Sequence, residues 1–141
     1  MESVHYLLMK AHTRLNQTIL SQASEIGLTA GQPKILEYLM THEGSDQKTI
    51  SKYCEIRQST VGNILLGMEK HGLIKRKQIE GNRRSLYVFL TDKGRQAATD
   101  MAFIFDTCEH DALKYLTTDE IEQLKILLNK ICMKFETDIK E

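Results

Sequence analysis

The side chains best suited to chemistry lie on one predicted helix in the middle of the chain, which begins near residue 57 and ends before Gly72. Its buried face is marked by apolar residues three and four positions apart: Val61, Ile64, Leu65 and Met68. The opposite face exposes Gln58 and Asn63, whose amides can pair with adenine, and Ser59, whose hydroxyl can reach a base edge. We therefore predict that these three residues read DNA bases. The alternative for Ser59 is a helix N-cap.

Seven further polar or basic residues are predicted to contact the sugar-phosphate backbone or the minor groove. Five lie near helix N-termini, where backbone N–H groups also face an anion: Lys48, Thr49, Ser51, Arg57 and Thr60. The other two, Arg83 and Arg84, lie at the tip of a predicted hairpin. Arginines there can enter a narrow, A·T-rich minor groove. The alternative for both arginines is a solvated turn.

The elements that must position these residues follow from periodicity and capping signals. An apolar stripe predicts a first helix over residues 4–24. A second helix is expected after a Thr29 cap, with the only proline, Pro33, in its first turn. Ser45 or Asp46 is expected to cap a short third helix, which precedes the one that carries Gln58 and Asn63.

The second half of the chain predicts a hairpin followed by two long helices. Strands over residues 73–80 and 84–90 are expected to join across residues 81–83. Thr91 begins a long helix, and Thr117 with Glu120 forms a capping-box pattern ahead of the last one. The fold class is therefore mainly α with a small β-hairpin wing, in the order α-α-α-α-β-β-α-α. This is the layout of a winged helix-turn-helix, which lays its second helix in the major groove.

The net charge of zero hides an asymmetry along the chain. Residues 69–95 carry eight Lys and Arg against three acidic residues, whereas residues 96–141 carry five against ten. A basic region attached to a helix-turn-helix pattern favours phosphate neutralisation, and therefore double-stranded DNA as the partner. The acidic C-terminal part is expected to face away from the DNA.

Several other classes of protein are disfavoured. The chain has no phosphate-binding glycine loop, no Gly-x-Ser-x-Gly turn and no His-Glu-x-x-His pair, so we expect no enzyme. Neither a cofactor nor a metal site is expected, because Cys108 and His110 would point to different faces of a helix. Lacking a long apolar run and a signal-peptide pattern, the chain is expected in the cytoplasm without a membrane partner.

The three cysteines are an odd number without paired spacing, which does not predict a disulfide framework. Cys54 occupies a position that is apolar in most helix-turn-helix patterns, and Cys108 and Cys132 lie on or beside the apolar stripes of the last two helices. Each is therefore expected to behave as a small hydrophobic residue. The alternative is a cysteine that senses oxidation, which needs a thiol of lowered pKa.

Over nearly its whole length the sequence resembles the multiple-antibiotic-resistance regulator (MarR) family of bacterial transcription factors. The segments that carry the resemblance are Leu28-Thr29, Ile50-Ser51, Ser59-Thr60-Val61, Glu69 to Ile74 and Leu90 to Gly94. Three positions depart from the family pattern. Asn82 replaces an acidic wing residue, Glu55 replaces a small turn residue, and Gly62-Asn63 replaces a polar or basic pair.

The resemblance implies a homodimer that binds a pseudo-palindromic operator, usually as a repressor, and that often releases DNA when a small phenolic or lipophilic ligand binds. The apolar stripes of the terminal helices also favour a dimer, with an intramolecular helical hairpin as the alternative. We expect residues 1–28 and 96–141 to form the dimerisation helices and residues 29–95 the DNA-binding lobe.

The implied ligand cleft lies between these helices and the lobe, and its expected lining is apolar with one titratable residue: Leu8, His12, Leu15, Leu36, Met40 and Met101. The alternative is that these residues simply fill the core. A winged-helix module that binds a protein rather than DNA also remains open.

Overall fold

The computed structural model describes residues 1–79 and 81–139, and the side chains of residues 1–79, 81 and 85–136. Six helices and three strands follow one another along the chain, with these bounds: α1 Val4–Glu25, α2 Gln32–Thr41, β1 Ser45–Asp46, α3 Gln47–Cys54, α4 Gln58–Lys70, β2 Ile74–Ile79, β3 Asn82–Leu90, α5 Asp92–Ala112 and α6 Thr118–Ile139. The mainly helical class with a small hairpin wing is confirmed. The short strand β1 was not predicted from the sequence.

The three strands form one antiparallel sheet in the order β1-β3-β2. β1 places Ser45 opposite Val88, and β2 places Ile74 opposite Leu90. The register of β2 and β3 shifts between Gln78 and Ile79, so that Ile79 pairs with Asn82. Strand β3 begins at residue 82 rather than at the predicted residue 84.

Most helix starts follow the predicted capping chemistry. Asp46 caps α3 by accepting a hydrogen bond from the Thr49 backbone N–H, at 2.9 Å. Thr91 caps α5, and the capping box of α6 is complete: the Thr117 N–H donates to Glu120 Oε1 and the Glu120 N–H donates to Thr117 Oγ1. The expected cap of α2 was wrong. Gly31, at φ 86°, holds that position.

The core lies between α2, α4, the sheet and the inner face of α5. Its largest fully buried side chains are Ile35, Leu36, Leu39, Ile50, Val61, Leu65, Met68, Val88, Leu90 and Met101. Leu36 and Met101 therefore do not line an open cleft, which corrects the expectation that both belong to a ligand site. Their stripes identified buried positions but could not separate core from cleft lining.

The terminal helices leave apolar side chains exposed. On α1 these include Val4, Leu7, Leu8 and Met9, and on α6 they include Leu127, Leu128, Ile131, Met133 and Phe135. Phe135, on the apolar stripe of α6 that is expected to pair with a second copy, is 62% exposed in the single chain. Within the described ranges every helix is too short or too polar to span a lipid bilayer.

Candidate nucleic-acid interface

The helix-turn-helix is built from α3, a three-residue turn and α4. The turn begins at Glu55, whose backbone adopts the left-handed conformation at φ 55° and ψ 45°. The Ile56 N–H donates to the Ser51 carbonyl at 3.1 Å, which closes the end of α3. Among the described residues, Glu55 is the only non-glycine residue with a positive φ. Glycine adopts this left-handed conformation without a steric cost, which explains why the family pattern favours a small residue at this position.

The recognition helix α4 is held by its inner face. Val61, Leu65 and Met68 are fully buried, and Ile64 packs partly buried against them. Gln58, Ser59, Asn63 and Leu66 are exposed on the other side. Arg57 takes the N-cap position without a side-chain hydrogen bond, so Ser59 lies inside the first turn. The alternative interpretation of Ser59 as the N-cap was therefore wrong, and its hydroxyl remains a candidate for base contact.

The residues predicted to contact phosphate divide into two groups. Lys48, Thr49 and Arg57 are exposed near the N-termini of α3 and α4. Ser51 is only 8% exposed and lies beside buried Ile50, so its side chain cannot present a surface to DNA. Its prediction was wrong because α3 turns this residue toward the core.

Two details limit what the phosphate-contact region can offer an anion. The Thr49 N–H already donates to the Asp46 carboxylate. Hydrogen bonds from the Thr49 side chain and backbone lower the pKa of Asp46. The Thr49 N–H is therefore not free for a phosphate. Thr60 is exposed but contributes to a cavity with Gly31 and Pro33, which sets it on the side of α4 facing α2.

The wing carries the basic part of the chain. Arg76 on β2 is ion-paired with Glu69 on α4, with Nη2 and Oε1 3.2 Å apart. This pair ties the wing to the recognition helix. Lys75 and Lys77 are exposed, and the Lys77 ammonium lies 5.0 Å from the ring centroid of Phe89. The side chains of Arg83 and Arg84, both predicted to contact DNA, lie outside the described residues.

Glu43 supports the base of the wing, a role that sequence reasoning missed. Its Oε1 accepts a hydrogen bond from the Leu90 N–H at 2.9 Å and another from Arg95 Nη2 at 3.1 Å. Its Oε2 accepts from Arg95 Nη1 at 2.8 Å. These donors lower the pKa of the Glu43 carboxyl, with the Arg95 hydrogen bond as the largest cause.

Gln47 is a second residue that the sequence did not single out. Its amide Nε2 donates to the Gln58 carbonyl oxygen at 2.9 Å, which links the first residue of α3 to the first residue of α4. It also borders a groove of about 300 Å³ between α3, α4 and the wing, together with Lys48, Arg76 and Leu86. The residue of α4 that borders this groove is the buried Leu65.

A cavity of about 420 Å³ lies behind the recognition helix, between α1, α2, α4 and α5. Its apolar lining includes Leu15, Ile19, Pro33, Ile56, Ile64 and Phe105, and its polar lining includes His12, Asn16, Lys34 and Thr60. Two of the predicted ligand-site residues, His12 and Leu15, line it. Leu8 instead lines a second cavity of about 740 Å³ between α1, α5 and α6, which His12 and Leu15 also border. Met40 is 45% exposed and lines neither of these two cavities.

Two of the three cysteines are buried thiols. The Cys54 thiol lies 3.8 Å from the Lys34 carbonyl oxygen, and burial raises its pKa. Burial also raises the pKa of Cys108, whereas Cys132 is exposed on α6. In the described part of the chain, no three His, Cys, Asp or Glu residues come together as a metal site.

This architecture is shared with proteins of known class. The MarR family model matches residues 28–86, which cover α2 to most of β3. The "HTH-type transcriptional regulator MgrA" of Staphylococcus aureus is 25% identical over 136 residues, which are 96% of this chain and 91% of that protein.

Two solved complexes are similar over nearly the whole fold. The putative MarR family transcriptional regulator from Listeria monocytogenes, complexed with 26mer DNA, has a TM-score of 0.91 at 25% identity, covering 98% of this chain and 92% of that one. The S. aureus MepR-DNA complex has a TM-score of 0.87 at 26% identity, covering 96% and 99%. Fold and exposed helix face together define a winged helix-turn-helix transcription regulator. In residues 28–86 and in its fold the chain is similar to MarR family regulators. The relatives named here are transcription regulators, in keeping with the expectation that the chain is not an enzyme.

Proposed function

We propose that the chain binds double-stranded DNA as a homodimer, with α4 of each subunit in the major groove and the wing beside the minor groove. The observation that carries this proposal is the outer face of α4. Gln58, Ser59 and Asn63 are exposed there in a row, while Val61 and Leu65 anchor the opposite side in the core. A rigidly held helix with exposed amides suits base recognition.

The second copy is proposed from the terminal helices. The exposed apolar side chains of α1 and α6 form a surface that a lone subunit would leave in water. Pairing these helices with their counterparts buries both surfaces at once and relates two α4 helices by a two-fold axis. In this organisation residues 1–28 and 96–141 form the dimerisation part and residues 29–95 the DNA-binding lobe. The regulator then works on DNA in the cytoplasm.

The operator is proposed to be an inverted repeat with half-sites about one helical turn, roughly 34 Å, apart. Selection from random DNA by the purified protein, followed by footprinting, tests this directly. Recovery of an inverted repeat with that spacing supports the proposal. A stable monomer in light scattering, or recovery of no preferred sequence, overturns it.

Residues that contact bases can be distinguished from residues that contact the DNA backbone by comparing the affinity for the operator with the affinity for unrelated DNA. Gln58→Ala or Asn63→Ala should weaken binding to the selected operator by about 1–3 kcal/mol and leave non-specific binding nearly unchanged. If Arg84 contacts only phosphate, Arg84→Ala should weaken binding to all sequences and flatten the salt dependence. Lys114→Ala is the control, since it removes one exposed charge from the connection between α5 and α6, outside the helix-turn-helix and the wing. An Arg84→Ala protein that matches this control would remove the wing from the interface.

We further propose that the protein represses transcription and releases DNA when a small aromatic acid or lipophilic compound occupies the cavity behind α4. Ile64 and Thr60 belong to both α4 and the cavity lining, so an occupant would touch the recognition helix itself. His12 and Lys34 supply cationic or polar partners for an acidic group, and the remaining lining is mainly apolar.

An inducer must bind the DNA-incompetent dimer better than the competent one. It should therefore raise the melting temperature of the free protein and lower operator affinity in the same assay. Pro33→Trp, which would fill the cavity, provides a matched variant that should lose the response to the compound. A broad set of phenolic and lipophilic compounds that produces neither effect would leave a regulator controlled by its abundance alone.

The redox alternative has less physical support. Cys54 and Cys108 are buried, and the raised pKa of each thiol disfavours the reactive thiolate. A protein-interaction module without DNA is opposed by the row of exposed amides on α4 and by the basic wing.

A further inference from the structure

We propose that Gln47 is a specificity-determining part of the base-reading surface, with its amide filling the position on α4 that Gly62 leaves without a side chain. This inference rests on the proposed binding of DNA by α4. It assigns a role to one residue outside the recognition helix, and to one glycine inside it.

The first observation is the space at Gly62. A glycine inside a helix weakens that helix relative to alanine, so its presence there calls for a physical reason. A Cβ built at Gly62 would lie 3.1 Å from Gln47 Nε2 and 3.7 Å from Gln47 Cδ and Oε1. The Gln47 amide therefore occupies the volume into which a side chain at position 62 would project.

The second observation is that the amide is fixed there. Nε2 donates to the Gln58 carbonyl oxygen at 2.9 Å, one helical turn before Gly62. A backbone carbonyl has two lone pairs, so it can accept this bond and a helical one together. The bond holds the amide against the first turn of α4 and holds that turn against α3.

The third observation is that only part of the Gln47 amide is used. In the described part of the chain, the hydrogen bonds of the Gln47 side chain use one amide N–H. The other N–H and Oε1 remain available at the groove between α3, α4 and the wing. A glutamine amide with one donor and one acceptor available can pair with adenine or bridge to a phosphate. Gln47 would thus extend the row formed by Gln58 and Asn63.

Gly67 provides a matched control in the same helix. A Cβ there would meet only Gln32 Nε2, at 3.9 Å, which is an ordinary van der Waals contact. Gly62→Ala and Gly67→Ala therefore change the helix propensity of α4 in the same way, but only the first crowds the Gln47 amide.

The experiment measures affinity for an operator selected by the wild type, affinity for unrelated DNA, and the melting temperature. Gln47→Ala should reduce the ratio of the two affinities about tenfold, as for loss of one base contact. Gly62→Ala should reduce the ratio by a similar factor without lowering the melting temperature, and Gly67→Ala should leave the ratio unchanged. Gly62→Ala added to Gln47→Ala should cause no further loss, because the added methyl group then meets no amide.

Gln47→Met keeps the side-chain length but removes the amide donor, so it controls for any destabilisation of α3 by the shorter alanine. It should reduce the affinity ratio as Gln47→Ala does. A ratio within twofold of wild type for both Gln47 variants would overturn this inference alone. An equal cost of Gly62→Ala in both backgrounds would also overturn it, because the glycine would then act by letting DNA approach closely. A wild-type protein that selects no sequence would instead overturn the proposed function, and this inference with it.

Discussion

Replacing Glu43 tests whether one carboxylate holds the base of the wing. Strand β3 continues past the end of β1, so the Leu90 N–H has no partner strand on that side and donates to Glu43 Oε1 instead. Leu90 itself is buried. Glu43→Ala removes this acceptor and the two hydrogen bonds from Arg95. The contribution of each can be separated with two further variants.

The magnitudes follow from burial and exposure. A donor left without a partner in a partly buried site costs about 1–3 kcal/mol. The Arg95 pair adds little, because both side chains remain solvent-accessible. Glu43→Ala should therefore lower the free energy of unfolding by about 1–3 kcal/mol, mainly through the unpaired Leu90 N–H. Glu43→Gln keeps an oxygen for the Leu90 N–H and should lose much less, as should Arg95→Gln.

Urea unfolding at one fixed protein concentration measures these differences, since a dimer's apparent stability depends on concentration. Equal stability of Glu43→Ala and Glu43→Gln would refute the role given to the Leu90 hydrogen bond. The pH dependence gives a second check. The folded pKa of Glu43 lies below its usual value, so its contribution is present above the unfolded pKa of about 4.3. It is lost as the pH falls through the folded pKa, and there the wild type should approach the glutamine variant, because a protonated carboxyl group keeps an oxygen for the Leu90 N–H.

Three further predictions concern the backbone and the thiols. Glu55→Gly should stabilise the protein by about 0.5–1 kcal/mol in urea unfolding, because Glu55 pays a steric cost in its left-handed conformation; no gain would mean that the Glu55 side chain compensates. Gly94→Ala should destabilise by about 1–3 kcal/mol despite its better helix propensity, because the new methyl would overlap the Leu73 carbonyl oxygen. Cys54 and Cys108 should resist alkylation at pH 7 in the folded protein, as read by mass spectrometry; rapid labelling of either would revive the redox alternative.

The helices were predictable because their signals are local. An apolar stripe and a cap together span few residues, and Asp46, Thr91 and the Thr117–Glu120 box each act within one turn. The α5 stripe likewise identified Met101, Ile104 and Cys108 as inward-facing. Such features require no knowledge of what lies elsewhere in the chain.

The missed features depend on distant partners. Strand β1 is two residues long and shows no alternation, and it exists because Val88 and Tyr87 arrive beside it. Glu43 contacts Leu90 and Arg95, which lie about 50 residues later in the sequence, and no local spacing pattern predicts that contact. In each case the local sequence is compatible with a loop, and tertiary pairing decides.

Two site errors have different causes. The burial of Ser51 could have been predicted from the sequence. Ile50 lies one position before it and Cys54 three positions after it, and both mark the same buried face of α3. Leu36 and Met101 were not, since an apolar residue on a stripe reads the same whether it fills a core or lines a cavity. Only the packing around the residue distinguishes the two.

The recognition helix α4 contributes both to the cavity and to the proposed DNA-binding face. This determines how large a difference in binding free energy a ligand needs between the DNA-bound and released forms. Ile64 lines the cavity and Asn63, its neighbour in α4, faces outward. Because a helix moves as a unit, displacement of Ile64 carries Asn63 with it.

A hundredfold change in operator affinity corresponds to about 2.7 kcal/mol. At roughly 25 cal/mol per Å² of apolar surface, an occupant needs to bury only about 100 Å² more in the released form than in the bound form. That is the area of about three methylene groups, which a cavity of about 420 Å³ accommodates. We therefore propose that a small shift of α4 suffices for release, without any rearrangement of the fold.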